Sequence, residues 1–420
     1  MPLRSYQHTI FTALTALTAL TALTALTAFT VMTDRLYYTD SYLREFDAAV
    51  VERADEGRTV FLDRTAFYPT SGGQPNDLGQ LGGRRVVDVV DLGERIAHRL
   101  AQPLQTQDGV KGEIDWTRRF DLMQQHTGQH LLSAVIAELF GYHTVSVHFG
   151  ERSSTLDLEI GTFSPGQLVA AEDRSNEIAV ENRPVQVTFE RADSVTGLRQ
   201  ASERQGTLRI VTIEKLDRSA CGGTHVRRTG EIGPILLRRV ERVKQSARLE
   251  FLCGGRAIRR ARADKELLAR LAAGFSAAAD ELPTLVERLR TDLKDETATR
   301  RAVETQLADV QARELHQAAV PDARGIRVVV RREVEGPVDR FKALAQAMAA
   351  LPRTLFVGTV SQPPGLLVAA SEDSGIDAGR LLRAGLEPAG GRGGGSARTA
   401  QGSLKDPAAL EGVIAAITRG

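Results

Sequence analysis

The chain has 420 residues, a formal net charge of +1 and 42% hydrophobic residues. This length exceeds what one ordinary hydrophobic core organises, so we expect two or three globular domains. The near-zero charge excludes a protein that binds nucleic acid through bulk charge, so any basic surface must be local. The two cysteines exclude a disulfide framework and favour a reducing, cytoplasmic compartment.

Residues 1–32 are predicted to form a low-complexity extension. From Thr12 the chain repeats Thr-Ala-Leu, and a three-residue period fits neither a helix nor a strand. A signal peptide is one interpretation, because Arg4 precedes a weakly apolar stretch, but the regular threonines oppose membrane insertion. We favour a tandem repeat upstream of the true start, unstructured and dispensable, and we expect no membrane partner.

Residues 33–112 are predicted to form a small β-barrel domain. Short β-rich runs recur at roughly ten-residue spacing and are bounded by turn residues, a pattern typical of small barrels. The stretch from Ser71 to Asp77 is predicted as a glycine-rich loop. Its Gly72-Gly73 pair lets the backbone approach a ligand, and Gln74 and Asp77 can hydrogen-bond one. A purely structural turn explains the same residues.

Two short motifs in residues 113–255 supply metal-binding side chains. His126 and His130 are four residues apart in a predicted helix, so both imidazoles lie on one face. Cys221 and His225 flank Gly-Gly-Thr, which predicts a tight turn that folds both side chains toward one point. Three imidazole nitrogens and one thiolate suit one tetrahedral zinc ion per chain, although either motif alone also occurs by chance.

The remainder of residues 113–255 is predicted to mix helices with antiparallel strands, which indicates an α+β domain. Ser146 and His148 alternate with valines in one predicted strand and therefore share a face. That face lines either a pocket or a solvated surface. Cys253 ends an apolar strand, and we interpret it as a core residue and not as a ligand.

A stretch dense in arginine follows the cysteine motif and includes Arg238 and Arg239. A local excess of positive charge beside a metal pocket suits phosphate binding, and we take both residues as candidates for contact with the phosphates of a nucleic acid. The alternative is that these residues lie on ordinary solvated faces of strands.

Two further regions complete the predicted order. Residues 256–320 have apolar side chains at three- and four-residue spacing, which predicts a helical hairpin or short coiled coil acting as a spacer, a surface for homodimerisation, or both.

Residues 321–420 are predicted to form an α/β domain with a glycine-rich loop at 390–395. Free backbone N–H groups there, with Arg392 and Arg398, would cradle phosphates or a nucleobase, whereas a flexible linker is the competing interpretation.

Four of these stretches together resemble the editing and C-terminal domains of alanyl-tRNA synthetases and of the long-form, freestanding AlaX-type alanyl-tRNA editing proteins. They are the glycine-rich segment 67–77, the histidine motif 125–132, the cysteine motif 221–226 and the second glycine-rich segment 390–398. The last resembles the signature of the DHH-associated C-terminal domain. Their order and spacing match from about residue 33 to the C-terminus.

The resemblance implies a substrate and a reaction: tRNA(Ala) mischarged with serine, or with glycine, loses its amino acid by hydrolysis of the aminoacyl ester. Because the resemblance begins at the editing region and leaves no room for an aminoacylation domain, we expect the chain to act in trans. The candidate substrate pocket comprises Gly72, Gly73, Gln74, Ser146, His148 and Thr224. Discriminating serine from alanine requires a hydrogen-bonding partner for the serine hydroxyl.

The role of the zinc stays open between two versions. Four protein ligands normally describe a structural zinc site, whereas a catalytic zinc keeps an open position. Zinc therefore either gains a fifth ligand and polarises the ester or a water, which we favour, or it positions the substrate and shapes the pocket. A metalloprotease is disfavoured because Thr127 and Gly128 stand where a general-base glutamate is needed. A tRNA-binding module with purely structural zinc is the alternative from another functional class.

Overall fold

The computed structural model describes residues 32–105 and 108–419. The predicted extension over residues 1–32 lies outside this range apart from its last residue. The chain divides into two compact units at Leu268, and each unit is described by itself. None of the helices in the described ranges combines the length and the apolar character that a membrane span requires.

The N-terminal region contains a closed barrel of six strands in the order β2-β3-β7-β6-β5-β8, which confirms the predicted barrel. Its interior is filled with apolar side chains because these alternate with exposed side chains along the strands. In the strand Gly109–Ile114, for example, Val110 and Ile114 are buried while Lys111 and Glu113 are exposed. The last strand continues beyond the predicted boundary at residue 112. The strands of this region are β1 (Asp34–Arg35), β2 (Glu45–Ala54), β3 (Thr59–Leu62), β4 (Arg64–Thr65), β5 (Gly79–Leu81), β6 (Arg84–Asp91), β7 (Ile96–Leu100) and β8 (Gly109–Ile114).

A long helix, α1 (Trp116–Phe140), follows the barrel directly. The Asp115 side chain caps its start by accepting a hydrogen bond from the Arg118 backbone, and left-handed Gly141 ends it. The middle of α1 is buried on every side. At Gly128 a Cβ atom would lie 2.3 Å from Cys253 Sγ, so the helix approaches that strand more closely than any side chain would permit.

Helix α1 packs on a four-stranded antiparallel sheet of order β14-β15-β10-β9, whose apolar face forms the core of this region. A second sheet, of order β11-β12-β13, ends just before the cysteine motif. The mixed α+β character is thus confirmed. The elements are β9 (Thr144–Phe149), β10 (Ser154–Leu158), α2 (Pro165–Val180), β11 (Val185–Arg191), β12 (Thr207–Ile213), β13 (Asp217–Ala220), β14 (Ile235–Val243) and β15 (Ser246–Cys253).

Two helices follow, α3 (Gly255–Gly274) and α4 (Leu282–Ala318). The division between the two units falls inside α3. Pro283 lies in the first turn of α4, where its missing N–H costs nothing. Near its C-terminal end, α4 buries Ala308 and Ala312 in a cluster with residues of the following domain.

The C-terminal region contains a five-stranded sheet of order β16-β17-β18-β20-β19, parallel only between β16 and β17. The prediction of a loop at 390–395 is wrong for four of its six residues, since Arg392–Gly395 form an edge strand paired with Thr399–Ser403. The glycines permit this pairing because a Cβ at Gly395 would lie 2.3 Å from Thr399 O. The elements are β16 (Arg327–Glu335), α5 (Lys342–Ala349), β17 (Thr354–Gln362), β18 (Pro364–Ala370), α6 (Ala378–Leu386), β19 (Arg392–Gly395), β20 (Thr399–Ser403) and α7 (Leu410–Arg419).

Candidate metal centre

The structure brings the four predicted ligands together. Helix α1 presents His126 and His130 on one face, and the turn after β13 presents Cys221 and His225 against that face. One ligand atom of each residue lies within 4.8 Å of the others. The three histidines are buried, and Cys221 is partly accessible.

Glycines allow the two motifs to approach so closely. A Cβ atom at Gly223 would lie 2.1 Å from Cε1 of His126, so the turn between Cys221 and His225 fits only without a side chain there. The absence of a side chain at Gly128 likewise allows α1 to lie close to Cys253 of the sheet. Cys253 is fully buried, and burial raises its pKa well above the usual range of a thiol. This is the behaviour of a core residue.

Each ligand histidine forms a hydrogen bond through its Nδ1 atom to a side chain that is not one of the four ligand candidates. Gln74 Oε1 lies 2.7 Å from Nδ1 of His126. Asp217 Oδ2 lies 2.9 Å from Nδ1 of His130, and Thr127 Oγ1 lies 3.2 Å from Nδ1 of His225. Such partners fix the orientation of each ring and leave Nε2 for a metal.

The resulting geometry fits tetrahedral zinc. Cys221 Sγ lies 3.4 Å from Nε2 of His126 and 3.3 Å from Nε2 of His225. Zinc–nitrogen and zinc–sulfur bonds of ordinary length at the tetrahedral angle give a nitrogen–sulfur separation of roughly 3.6 Å. The residues present therefore match the ligand type, the number and the spacing that zinc requires.

The cluster favours the protonation state that a metal needs at Cys221 and His225. At His130, hydrogen bonds to Asp217 and Cys221 outweigh the effect of burial and raise the pKa to about 9, so a metal must displace a proton from that imidazole. Burial opposes a charged thiolate at Cys221, but the neighbouring His126 and His225 outweigh it and hold its pKa well below the usual value. Burial lowers the pKa of His225 to about 3, so that imidazole stays neutral. A thiolate and neutral imidazoles are the forms that bind metal.

Three of the four candidate ligands, His126, His130 and Cys221, line a cleft of about 700 Å³ that opens to solvent. Three tyrosines, Tyr37, Tyr38 and Tyr68, line it together with the guanidinium groups of Arg35, Arg199 and Arg204. The segment from Arg199 to Arg204 contributes one wall and is attached through Gln200, whose amide donates to Thr144 O at 2.8 Å. A polar, cationic and aromatic cleft beside a candidate metal centre suits an anionic ligand that carries flat rings.

Comparison with known proteins identifies the region that contains the cysteine motif. Residues 208–249 match the family model described as the threonyl and alanyl tRNA synthetase second additional domain. Over 405 residues, 92% of this chain, the sequence is 31% identical to alanine–tRNA ligase of Pyrococcus abyssi. The chain is a relative of the alanyl-tRNA synthetases. The resemblance inferred from the four motifs is thereby confirmed.

Other alanine–tRNA ligases align over comparable lengths. The enzyme of Methanoregula boonei is 33% identical over 386 residues, 88% of this chain. These alignments cover 43% of the Pyrococcus enzyme and 41% of the Methanoregula enzyme, so the chain spans less than half the length of either relative. A crystal structure of the C-Ala domain from Aquifex aeolicus alanyl-tRNA synthetase superposes on 24% of this chain and 92% of that domain, with 17% identity and a TM-score of 0.22, which is too low to define a shared fold.

The predicted pocket residues of this synthetase relative occupy different surroundings. Gly72 and Ser146 line the cleft, whereas His148 is exposed and is not part of its wall. Gln74 and Thr224 are fully buried behind the cluster, where Gln74 Nε2 donates to Thr224 Oγ1 at 2.9 Å. Gly73 packs against the β9 backbone, since a Cβ there would lie 2.7 Å from Val147 O.

The arginines predicted to contact tRNA are largely ion-paired within the chain. Arg238 lies 2.6 Å from Asp264, and Arg239 lies 3.1 Å from Glu241 and 3.2 Å from Glu250. Neither of them lines the cleft. In the C-terminal unit, Arg398 lies 3.6 Å from Glu372, and Arg392 is exposed on edge strand β19.

Three charged residues that support the site were not predicted from the sequence. Asp217 holds His130, and Arg199 lies 2.7 Å from the other oxygen of the Asp217 carboxylate. Arg119 is fully buried and pairs with Asp77, which fixes the glycine-rich segment to the start of α1. A signal for Asp217 does exist in the sequence: it precedes Cys221 by four residues, an even spacing that puts two side chains on the same face of an extended segment.

Proposed function

We propose that this chain hydrolyses the ester between a wrongly attached amino acid and the terminal ribose of tRNA(Ala), with serine or glycine as the amino acid. We propose further that it acts on tRNA charged by another enzyme. The main support is the set of three imidazole nitrogens and one thiolate sulfur, three of whose four residues line an open cleft, in a relative of alanyl-tRNA synthetases.

His126, His130, Cys221 and His225 would hold the zinc. When bound, the ion would supply Lewis-acid polarisation to an ester carbonyl. The chain's own contribution is rigidity, because Gln74, Asp217 and Thr127 hold the three rings by hydrogen bonds. Since an ester is already activated toward water, positioning of this kind accounts for much of the catalysis that hydrolysis needs.

The cleft wall offers contacts for the acylated 3′ end. Tyr38 is partly exposed and presents aromatic surface on which the terminal adenine would stack, whereas Tyr68 is buried. Stacking of this kind tolerates any base. Arg204 is exposed at the cleft and would meet a backbone phosphate. Arg35 is less available because Asp91 pairs with it at 2.7 Å.

Selection of serine requires a polar group at the cleft wall. Of the four residues of the predicted pocket with polar side chains, Gln74, Ser146, His148 and Thr224, only Ser146 lines the cleft. We propose that its hydroxyl bonds the serine hydroxyl. Gln74 and Thr224 would act instead by holding His126, since both are buried and bonded to each other.

The test is a deacylation assay with seryl-, glycyl- and alanyl-tRNA(Ala) charged in a separate reaction. We expect release of serine, and of glycine, with alanine largely retained, and loss of release after chelation that zinc restores. His130→Ala and Cys221→Ala should lose both bound zinc and deacylation. His143→Ala, an exposed histidine outside the cleft, is the matched control and should retain both. Full activity in a zinc-free variant contradicts the proposal.

The second candidate is a tRNA-binding module whose zinc is purely structural. It is favoured by one observation, the set of four protein ligands that closed structural sites share. The same assay separates the two functions. Retention of seryl-tRNA(Ala) on the protein without release of serine supports binding alone.

A further inference from the structure

Two arginines stack on two aromatic rings at the surface of the first unit. The guanidinium carbon of Arg44 lies 4.1 Å from the ring centre of Trp116, and that of Arg227 lies 4.1 Å from the ring centre of Tyr42. The two rings pack against each other with their centres 5.4 Å apart. Both arginines are exposed and both rings are partly exposed. We call these four side chains the arginine–aromatic surface.

The rings hold the two arginines in a fixed position. Tyr42 and Trp116 both pack against the hydrophobic core of this unit, and the Tyr42 hydroxyl donates to the carboxylate of Glu231. A guanidinium that stacks on a ring keeps N–H groups at its edge, where they can bond to an acceptor in the same plane. Because stacking restricts the side chain before a ligand arrives, binding an anion costs less conformational entropy than it does at an unstacked arginine.

The positive charge of the stacked arginines is only partly balanced. Arg44 pairs with no carboxylate among the residues that the structure describes. Arg227 lies 3.3 Å from Asp40, and both side chains of this pair are about half exposed or more. An exposed pair of this kind contributes little stability, so a phosphate oxygen can replace the Asp40 carboxylate at Arg227.

Four other charged residues adjoin this surface. Arg118 and Arg228 lie within two residues of Trp116 and Arg227 in the sequence, and each donates to a main-chain oxygen. The two acidic neighbours are engaged within the chain, since Glu231 accepts from Tyr42 and Asp115 caps α1. With Asp40 included, four arginines lie beside three carboxylates. A cationic surface with exposed aromatic rings suits a nucleic acid.

Two chain segments lead side by side from the cleft to this surface. They begin at Tyr38, which lines the cleft, and at the cysteine motif. The backbone nitrogen of His225 lies 3.5 Å from Ser41 Oγ, and that of Arg227 donates to the Tyr42 hydroxyl at 3.1 Å. Because Tyr42 follows Tyr38 by four residues, their Cα atoms are at most about 14 Å apart. Successive nucleotides of a stacked strand are roughly 3.4 Å apart, so about four of them span this distance.

We propose that the arginine–aromatic surface binds phosphates of an RNA whose 3′ end occupies the cleft. The identity of this ligand rests on the proposed function, and the surface adds a contact outside the cleft. Arg44 and Arg227 would each donate to a phosphate oxygen from the edge of the guanidinium group. Contacts of this kind position a nucleic acid without reading its sequence.

Binding of an uncharged hairpin RNA with an unpaired 3′ end to the zinc-loaded full chain tests this surface without any hydrolysis. Trp116 is the single tryptophan of the chain, so its fluorescence reports directly on the surface, and saturating RNA should change it. Arg44→Gln should weaken binding roughly three- to tenfold and lower the slope of log affinity against log salt by about 1, both measured by anisotropy of labelled RNA. Arg44→Lys keeps the charge without the flat stacking group and should bind with intermediate affinity.

The matched control is Arg58→Gln, which removes the same charge from another exposed arginine of the barrel region. It should bind RNA as the native chain does. Equal affinity and salt dependence in Arg44→Gln and Arg58→Gln overturn this proposal alone and favour a protein as the occupant of the surface. Unchanged Trp116 fluorescence at saturating RNA overturns it as well.

The same measurements separate this proposal from the proposed function. RNA binding that depends on Arg44, in a chain that releases no serine from seryl-tRNA(Ala), supports the surface and contradicts only the hydrolysis. Release of serine by a chain whose RNA binding ignores Arg44 does the reverse. A native chain that binds no RNA overturns both.

Discussion

Asp217 connects a ligand histidine to the wall of the cleft. One oxygen of its carboxylate lies 2.9 Å from Nδ1 of His130, and the other lies 2.7 Å from Nε of Arg199, a residue of the segment that lines the cleft. The carboxylate is buried, and Ser219 donates to both of its oxygens at 3.0 Å. The orientation of His130 therefore depends on a group that touches no metal ligand atom itself.

Asp217→Asn should weaken zinc binding about 10- to 100-fold, the usual effect of losing a carboxylate that orients a ligand histidine. The variant keeps the size of the side chain but removes the charge that pairs with Arg199. Competition with a chromophoric chelator measures the affinity. Asp264→Asn, which loosens the pair with Arg238 outside the cleft, is the control and should bind zinc as the native chain does. Equal affinity in both variants contradicts an orienting role for Asp217.

Gly128→Ala should destabilise the first unit by about 1 to 3 kcal/mol, although alanine is the better helix former. The added Cβ would lie 2.3 Å from Cys253 Sγ, so the helix or the strand must shift. Urea unfolding measures the loss. The double variant Gly128→Ala/Cys253→Ala removes the clash and should recover part of it, so the two single costs should not add. Strictly additive costs mean that this contact does not set the distance between helix and strand.

Asp77→Asn should cost about 3 to 5 kcal/mol of stability, because it leaves the fully buried Arg119 without its counterion. The carboxylate of Asp77 accepts from Nε of Arg119 at 2.9 and 3.0 Å, and the arginine is otherwise held by the Ser41 and Ala66 carbonyls. Thermal and urea unfolding measure the effect. Asp193→Asn breaks the exposed pair with Arg191 and should change nothing measurable. A similar response in the two variants means that the Arg119 pair is not required to hold the glycine-rich segment.

His98 should make the barrel sensitive to mild acid. Burial lowers its pKa to about 4 from an unfolded value of 6.5, and its ring lies between Thr65 Oγ1 and Val60 O. Between these values the unfolded chain takes up a proton that the folded chain does not, so stability falls as the pH drops from about 6.5 to about 4. The full loss is of the order of 3 kcal/mol and is complete below the folded pKa.

The measurement compares urea unfolding of the native chain with that of His98→Gln at several pH values across this window. Glutamine can make both hydrogen bonds without titrating, so the variant should lose stability less steeply with acid. Contributions from all other groups are common to both proteins and cancel in the comparison. If the two slopes are the same, His98 titrates normally in the folded protein.

The local patterns in the sequence were sufficient for the barrel and for the four ligand candidates. Strand alternation and turn residues are short-range properties, and the spacing of His126 and His130 fixes their common face as soon as a helix forms. Gly222 and Gly223 likewise form the turn between Cys221 and His225 through a local preference of the backbone. By contrast, Gln74 and Asp77 were expected to face a ligand, and their burial depends on segments distant in sequence, Thr224 and α1.

The sequence by itself therefore determined which residue types were available and how each motif would fold: a helical histidine pair, a glycine turn between Cys221 and His225, and short strands bounded by turn residues. Only the tertiary structure decided how these parts meet. In the folded chain, Asp217 and Gln74 form hydrogen bonds to ligand histidines. Ser146 lines the cleft, whereas His148 is exposed to solvent. The glycines of β19 form an edge strand of the C-terminal sheet. The reason is physical. Contacts between segments that are distant in sequence arise from the joint packing of buried surfaces, so the residues adjacent to a side chain in the sequence do not determine which distant residue it will contact.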